Sequence, residues 1–174
     1  GSALRQLARV RGAIPYAVTS AGKEAALREI GAEGVVLRDE EDLVAAVQGT
    51  VGGEVDVVAD LVAGPLFNDL LRILRPEGRY VTAGAIGGPV VQLDLRTAYL
   101  KQLELHGSSQ GTRTAFARLL TYIEAGRIRP LLERTFRLSA LHDAQRAFLA
   151  KQFIGKLVVV PDRHWDEHGA PHAP

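Results

Sequence analysis

Residues 54–88 read EVDVVADLVAGPLFNDLLRILRPEGRYVTAGAIGG, and the order of patterns in this stretch decides the fold. The run at 54–62 is apolar and β-branched, which predicts a buried strand. The segment from Pro65 to Leu74 has proline in its first turn and apolar residues every three to four positions, which predicts a helix. RPEG at 75–78 supplies a turn, RYVTAG at 79–84 a second strand, and IGGP at 86–89 a loop. Strand, helix and strand in that order make one parallel β-α-β unit.

The alternation extends both ways. Upstream, SALRQLARVR at 2–11 places Leu4, Leu7, Ala8 and Val10 on one helical face with arginines opposite. Ser2 is its expected N-cap and Gly12 its stop. A short strand follows at 13–19, weakened by Pro15. A helix at 22–31 ends at Gly31, VVLR at 35–38 is the next apolar run, and the acids of DEEDLVAAVQ at 39–48 suit a helix start. GTVGG at 49–53 looks like a phosphate loop but precedes a strand instead of following one, so it reads as a turn. Downstream, a helix is expected at 96–102, a strand at 103–108, an amphipathic helix at 112–126 and a minor strand at 135–138. A helix at 139–150 with Ser139 as cap and a last strand at 156–160 complete the pattern. Short strands alternating with helices imply an α/β fold with a mostly parallel, doubly wound sheet. Residues 1–161 read as one domain, and the polar, Pro/His-rich 162–174 as a disordered tail.

Composition narrows the function classes. The chain has 174 residues, 47% of them hydrophobic and 24% charged, with a net charge of +1. Its 21 Lys and Arg are interleaved with 20 Asp and Glu, which gives no support for nucleic-acid binding. Without cysteine there is no disulfide, thiol nucleophile or thiolate metal site in these residues. No apolar run approaches the roughly 18–20 residues of a membrane span, and no signal pattern opens the chain, so the expected compartment is the cytoplasm. His164, His168 and His172 recur every four residues, a metal-ligand spacing on a helix, but Gly169 and Pro171 argue against a helix there. No Ser/His/Asp set is suggested, His106 and His142 read as structural or exposed, and no catalytic acid or base can be named.

The succession AVTSAGKEAALREIGAEGVVLRDEEDL, VDVVADLVAG, LRILRPEGRYVTAGAIGG, LKQLELHGSSQGTR, GRIRPLLERTFRLSALHDAQRAF and FIGKLVVVP resembles the medium-chain dehydrogenase/reductase superfamily. It is most similar to the zinc-type alcohol dehydrogenase and quinone oxidoreductase branches. The resemblance covers residues 1–161 and implies a coenzyme-binding Rossmann domain that follows a separate catalytic domain of GroES-like fold. Such a domain holds NAD(H) or NADP(H), and hydride passes between the nicotinamide and a small-molecule substrate. Zinc ligands, where the family has them, would lie outside this chain. Gly1-Ser2 fits the last two residues of a Gly-Val-Gly-Ser phosphate turn, which places both at the cofactor. The strand before that turn is the central one in the order 3-2-1-4-5-6. Its absence would leave a slot about 9–10 Å wide between the strands at 13–19 and 54–62, lined by unpaired backbone. The chain is therefore expected to be part of a longer protein.

Cofactor type can be read at the end of the second Rossmann strand. NAD enzymes place an acid about 20 residues after the first motif glycine to bind the ribose. Here the strand ends Val18-Thr19-Ser20 with Lys23 close by, and a hydroxyl and an ammonium suit a 2′-phosphate. That favours NADP over NAD, with Arg38 at the end of the following strand flanking the adenine or phosphate. The bland alternative has Ser20 capping the next helix and Lys23 solvated. By resemblance, Leu61 and Val62 line the ribose, the backbone of Gly84, Ala85 and Ile86 meets the nicotinamide amide, and Ser108 contributes from the SSQG loop. Gly84, Gly87 and Gly88 also read as plain turn glycines. The apolar strand at 103–108 is expected to form a sheet edge that pairs with its copy in a homodimer. The expected function is cofactor binding for an NADPH-dependent oxidoreductase acting on an alcohol, quinone or enone. A non-catalytic dinucleotide-binding module and another Rossmann enzyme, such as a methyltransferase, are the alternatives.

Overall fold

The computed structural model describes residues 1–29 and 32–169. Gly31, expected as a helix stop, and His172 lie outside the described residues. In chain order the elements are α1 (Ser2–Val10), β1 (Tyr16–Thr19), α2 (Glu24–Glu29), β2 (Gly34–Leu37), α3 (Leu43–Val51), β3 (Val55–Asp60), α4 (Phe67–Arg72) and β4 (Leu74–Thr82). Then come α5 (Leu95–Leu100), β5 (Glu104–Gly107), α6 (Arg113–Glu124), β6 (Leu132–Arg137), α7 (Leu141–Ala150), β7 (Lys156–Val160) and α8 (Trp165–His168). Packing divides the chain into two compact units, residues 12–120 with Gly1, and residues 2–11 with 121–174.

The first unit is a Rossmann-like α/β fold. β1 and β2 form one parallel pair, and β3, β4 and β5 form a three-stranded parallel sheet in that order. In the strand order 3-2-1-4-5-6 these are positions 3-2 and 4-5-6, with the first strand missing between β1 and β3. Among the described residues no strand pairs with the second edge of β1 or of β3. Val18 and Val57, on those two strands, are correspondingly 41% and 49% exposed.

The core of this unit is aliphatic, as the low aromatic content requires. Val36 of β2, Leu43 and Val47 of α3, and Leu70 and Leu71 of α4 bury one continuous cluster with Val58, Leu74 and Tyr80. Leu71 and Leu74 lose all exposure. Phe67 packs edge-on against the Tyr80 ring, with centroids 5.2 Å apart. Asp42 caps α3 by accepting the Ala45 N–H at 3.0 Å, so the acids at 39–42 precede the helix and do not occupy its first turn. The expected turn at 49–53 begins later. Thr50 donates its hydroxyl to the Ala46 carbonyl at 2.8 Å, helix continues through Val51, and only Gly52 at φ 84° turns the chain. RPEG is a bulge inside β4, because Leu74 already pairs with Val55 while Arg79 pairs with Val57. The Lys101 ammonium fastens that corner, donating to Glu54 Oε1 at 2.8 Å, to the Arg72 carbonyl at 2.7 Å and to the Leu74 carbonyl.

In the second unit, β6 and β7 pair in parallel around α7. The Gln6 amide joins α1 to this unit, donating to the Arg129 carbonyl and accepting the Arg129 N–H, both at 2.8 Å. α1 corrects two expectations. Its first helical residue is Ser2 itself, while Gly12 stops it at φ 84° as predicted. Leu7, Ala8 and Val10 are half-buried and Arg9 and Arg11 exposed, as expected, but Leu4 is 41% exposed and the buried residue is Arg5. Burial, and then the charge of Arg9, lower the Arg5 pKa. Ser139 does not cap α7. Its hydroxyl and N–H both donate to Asp162, at 2.7 and 3.1 Å. Residues 162–169, read as a tail, are held here instead. Asp162 engages Ser139, Arg137 stacks over the Trp165 ring at 4.7 Å, and Thr135 donates to the Gly169 carbonyl at 2.8 Å.

Replacing Leu71 with Ala leaves a cavity where exposure is zero, so Leu71→Ala is expected to cost about 2–5 kcal/mol of unfolding free energy. Urea denaturation followed by circular dichroism checks this, and an unchanged midpoint would contradict the core described here.

Candidate functional site

Parallel strands end together, so within each sheet of the first unit the carboxyl ends form a rim, one at β1 and β2 and one at β3, β4 and β5. Two backbone bonds extend the ladder past β3, β4 and β5. Ala83 N–H donates to the Asp60 carbonyl at 3.0 Å, and Ser108 N–H to the Thr82 carbonyl at 2.8 Å. A third does so past β1 and β2, where Arg38 N–H donates to the Thr19 carbonyl at 2.8 Å. The second rim therefore brings the 60–64 loop, the 83–88 loop and Ser108 into one row. The first brings Thr19, Ser20 and Arg38 together.

The two central loops are locked by approach too close for side chains. A Cβ on Gly84 would lie 2.7 Å from the Leu61 carbonyl oxygen, and one on Gly64 would collide with the Gly87 carbonyl oxygen. Gly64 also sits at φ 79°. Gly87 N–H donates to the Val62 carbonyl at 2.7 Å. Gly64 and Gly84 are thus dictated by loop-on-loop packing, a stronger reason than an isolated turn, and Gly87 sits in the same tight contact.

Beneath these loops lies a buried polar network that the sequence reading did not pick out. Asp60 is 6% exposed, and its side chain accepts the Val62 and Ala63 N–H groups on Oδ1, at 2.8 and 2.9 Å, and the Tyr80 hydroxyl on Oδ2 at 2.7 Å. Thr82 donates to the Gly84 carbonyl at 3.2 Å, so the second loop is held from the same strand that carries Tyr80. Burial pushes the Tyr80 hydroxyl well above the ordinary phenol value, the Asp60 hydrogen bond and charge push it further, and Thr82 works weakly the other way. Ala63 adopts φ 57° and ψ −149°, a conformation that costs a non-glycine residue about 1–3 kcal/mol. The only sequence signal for this network was the pairing of one polar residue with one aromatic on adjacent strands.

The expected site residues are distributed as follows. Leu61 and Val62 are 39% and 43% exposed on the rim, and Ile86 is 81% exposed on the loop opposite. Gly84, Ala85 and Ser108 lie on the same rim. Ser20 stands at the end of β1, four residues ahead of α2, and so does not occupy its cap. Lys23 forms no ion pair among the described residues, whereas Arg38 meets Asp39 at 3.4 Å with both side chains at least half exposed. Gly1 and Ser2 stand at the start of α1. A pocket of about 250 Å³ opens between residues 64–68 and 87–92. Of its two polar side chains, Asn68 and Gln92, the first is already committed, donating to the Gln92 carbonyl at 3.0 Å. Among the described residues no three potential ligands gather around a metal position, and the chain has no cysteine, so these residues do not fit a zinc site. Against the expectation from Gly169 and Pro171, a short helix does form here: His164 caps α8 and His168 ends it, with ring centroids 6.3 Å apart.

Comparisons with known proteins agree with this geometry. A family model described as zinc-binding dehydrogenase matches residues 30–159. The chain is 32% identical to the spectinabilin polyketide synthase system protein NorB of Streptomyces orinoci, over 97% of this chain and 8% of NorB. It is also 32% identical to quinone oxidoreductase-like protein 2 of Bos taurus, over 74% of this chain and 40% of that protein. A crystal structure of a candidate alcohol dehydrogenase from Sinorhizobium meliloti superposes with a TM-score of 0.88 at 66% identity, over 93% of this chain and 45% of that one. The 2-octenoyl-CoA carboxylase reductase CinF, in complex with NADP and 2-octenoyl-CoA, superposes with a TM-score of 0.85 at 25% identity, over 92% of this chain and 40% of CinF. The chain thus spans less than half the length of these relatives.

The Tyr80 shift has a pH signature. The native state holds the phenolic proton more tightly than the unfolded chain, whose pKa is about 10. Its contribution is complete below that value and lost as pH rises toward the raised native value. Unfolding midpoints measured from about pH 9 to about pH 11 should therefore fall more steeply for the wild-type chain than for Tyr80→Phe. Parallel curves would contradict the assignment.

Proposed function

The chain belongs to the zinc-binding dehydrogenase family, and on that premise we propose that it holds NADPH along the carboxyl rim of its parallel strands. The reduced nicotinamide supplies or receives hydride, and the intact enzyme acts on an alcohol, a quinone or an activated enone. These residues bind and orient the cofactor. Ser20, Lys23 and Arg38 take the 2′-phosphate end, Leu61 and Val62 lie along the ribose, and the backbone of 84–86 with Ser108 faces the nicotinamide amide. Gly1 and Ser2 complete the pyrophosphate turn at the start of α1.

The observation that carries this reading is the end of β1. It bears a hydroxyl and an uncommitted ammonium and no carboxylate, with Arg38 bonded through its backbone to Thr19 alongside. A carboxylate would bind the ribose of NAD and repel the 2′-phosphate of NADP. The Arg38–Asp39 pair is exposed and worth little, so a phosphate dianion can displace it. NADP bound to CinF is in keeping with this choice.

We also place the enzyme in the cytoplasm and in a homodimer paired through 103–108. No helix among the described residues is long and apolar enough to cross a membrane. All four residues of β5 are exposed, Leu105 at 42%, and β4 occupies one edge alone. An open strand edge with an apolar side chain is a ready template for pairing.

Titration of the chain with NADPH and NADH, followed by nicotinamide fluorescence, tests the cofactor reading. NADPH should bind more tightly, and the double variant Lys23→Glu, Arg38→Glu should lose at least about tenfold in NADPH affinity while NADH is little affected. Tighter NADH binding by the wild type would sink the reading. For the dimer, light scattering at micromolar concentration should give twice the chain mass, and Leu105→Lys should return it to the monomer. A wild-type monomer mass would rule the interface out.

A further inference from the structure

We propose that Asp60 is a positioning residue for the nicotinamide end of the cofactor, setting the shape of the 61–64 loop and, through it, of the 83–88 loop. The proposal rests on the cofactor reading above and adds a residue to which that reading gives no role.

Three observations converge on Asp60. The residue is 6% exposed, and its carboxylate accepts three hydrogen bonds, two from consecutive loop N–H groups at Val62 and Ala63 and one from Tyr80. One of the loop residues it holds, Ala63, carries a backbone conformation that alanine rarely adopts. Strain of that kind persists only where surrounding contacts over-determine it, and it gathers where a loop's exact shape is used. Finally, the loop held in this way packs on the second loop at backbone distance: a Cβ on Gly84 would clash with the Leu61 carbonyl oxygen, one on Gly87 would crowd Val62 and Ala63, and one on Gly64 would clash with the Gly87 carbonyl oxygen. A shift of the 61–63 backbone must therefore move 84–87, and with it the backbone that faces the nicotinamide.

Tyr80 fixes Asp60 in turn. Its ring is held edge-on by Phe67 from α4, so the hydroxyl reaches Oδ2 from a rigid core position. The chain of contacts runs from the helix through the aromatic pair and the carboxylate to the loop. Each of these side chains is buried, and none need touch the cofactor.

The test separates the two ends of the ligand. NADPH reports on the whole site, and adenosine 2′,5′-bisphosphate reports on the 2′-phosphate end alone. Asp60→Ala is expected to weaken NADPH by about tenfold or more and leave the bisphosphate within about twofold. The emission of bound NADPH should also shift toward that of the free cofactor. Asp60→Asn should recover most of the loss, because its amide oxygen can still accept both loop N–H groups and its NH2 can donate to the Tyr80 oxygen. Where Asp60→Ala fails to give a cooperative melt, Tyr80→Phe serves instead, with a smaller loss of the same selectivity.

Equal loss of both ligands, unchanged NADPH binding, or an Asn variant as impaired as Ala would overturn the positioning role and leave the cofactor reading standing. A folded wild-type chain that binds neither ligand would overturn both.

Discussion

The Asp60 carboxylate accepts hydrogen bonds from Val62, Ala63 and Tyr80 while almost wholly removed from water. A buried carboxylate is tolerable only when its oxygens are satisfied, and here the donors come from two directions. One direction is the loop that leaves β3, and the other is the neighbouring strand β4. The carboxylate therefore joins the hydrophobic core to the functional rim. Without it the Ala63 backbone would have no partner to offset its strained conformation, and the glycine contacts between the two loops would lose their fixed wall.

That arrangement depends on the core beneath it. α4 presents Phe67, Leu70 and Leu71 to β3 and β4, and Leu71 and Leu74 are fully enclosed. The short helix has little stability of its own at this length, so its position comes from burial of its apolar face. Lys101 closes the lower end of the same corner by satisfying carbonyls where α4 gives way to β4. The upper, carboxyl ends of the strands are then free to carry loops, which is where open α/β sheets bind their ligands.

The rim divides into two chemistries. At β1 and β2 it carries a hydroxyl and cationic side chains, with Arg38 paired loosely to Asp39. At β3, β4 and β5 it carries exposed Leu61, Val62 and Ile86 above close-packed glycine backbone. In the proposed reading the first end takes the 2′-phosphate and the second the nicotinamide ring. The described residues offer no metal cluster, and the proposed role of the rim is to bind and orient.

Much of this was legible in the sequence. Apolar β-branched runs alternating with helical spacing gave every strand within a few residues, because side-chain period reports directly on which face is buried. The missing first strand was implied by the family resemblance and not by the local pattern, and β1-β2 and β3-β4-β5 do form separate sheets. Boundaries that rest on one local contact were less legible. Thr50 bonding back to Ala46 carries α3 through GTVGG, and the bulge at RPEG turns an expected turn into part of β4. Ser139 looked like a cap, but Asp162, distant in sequence, claims its hydroxyl. Arg5 lies buried and Leu4 exposed at one end of the expected face, since spacing says which residues share a face and not how much of it the rest of the unit covers. The sequence alone determined the alternation of elements, the candidate phosphate end at Ser20 and Lys23, and the positions of the loop glycines. Only the tertiary structure decided why those glycines are needed and that Asp60 and Tyr80 meet. Both depend on backbone and side-chain approach between adjacent strands, twenty residues apart in the chain for Asp60 and Tyr80, which no local pattern encodes.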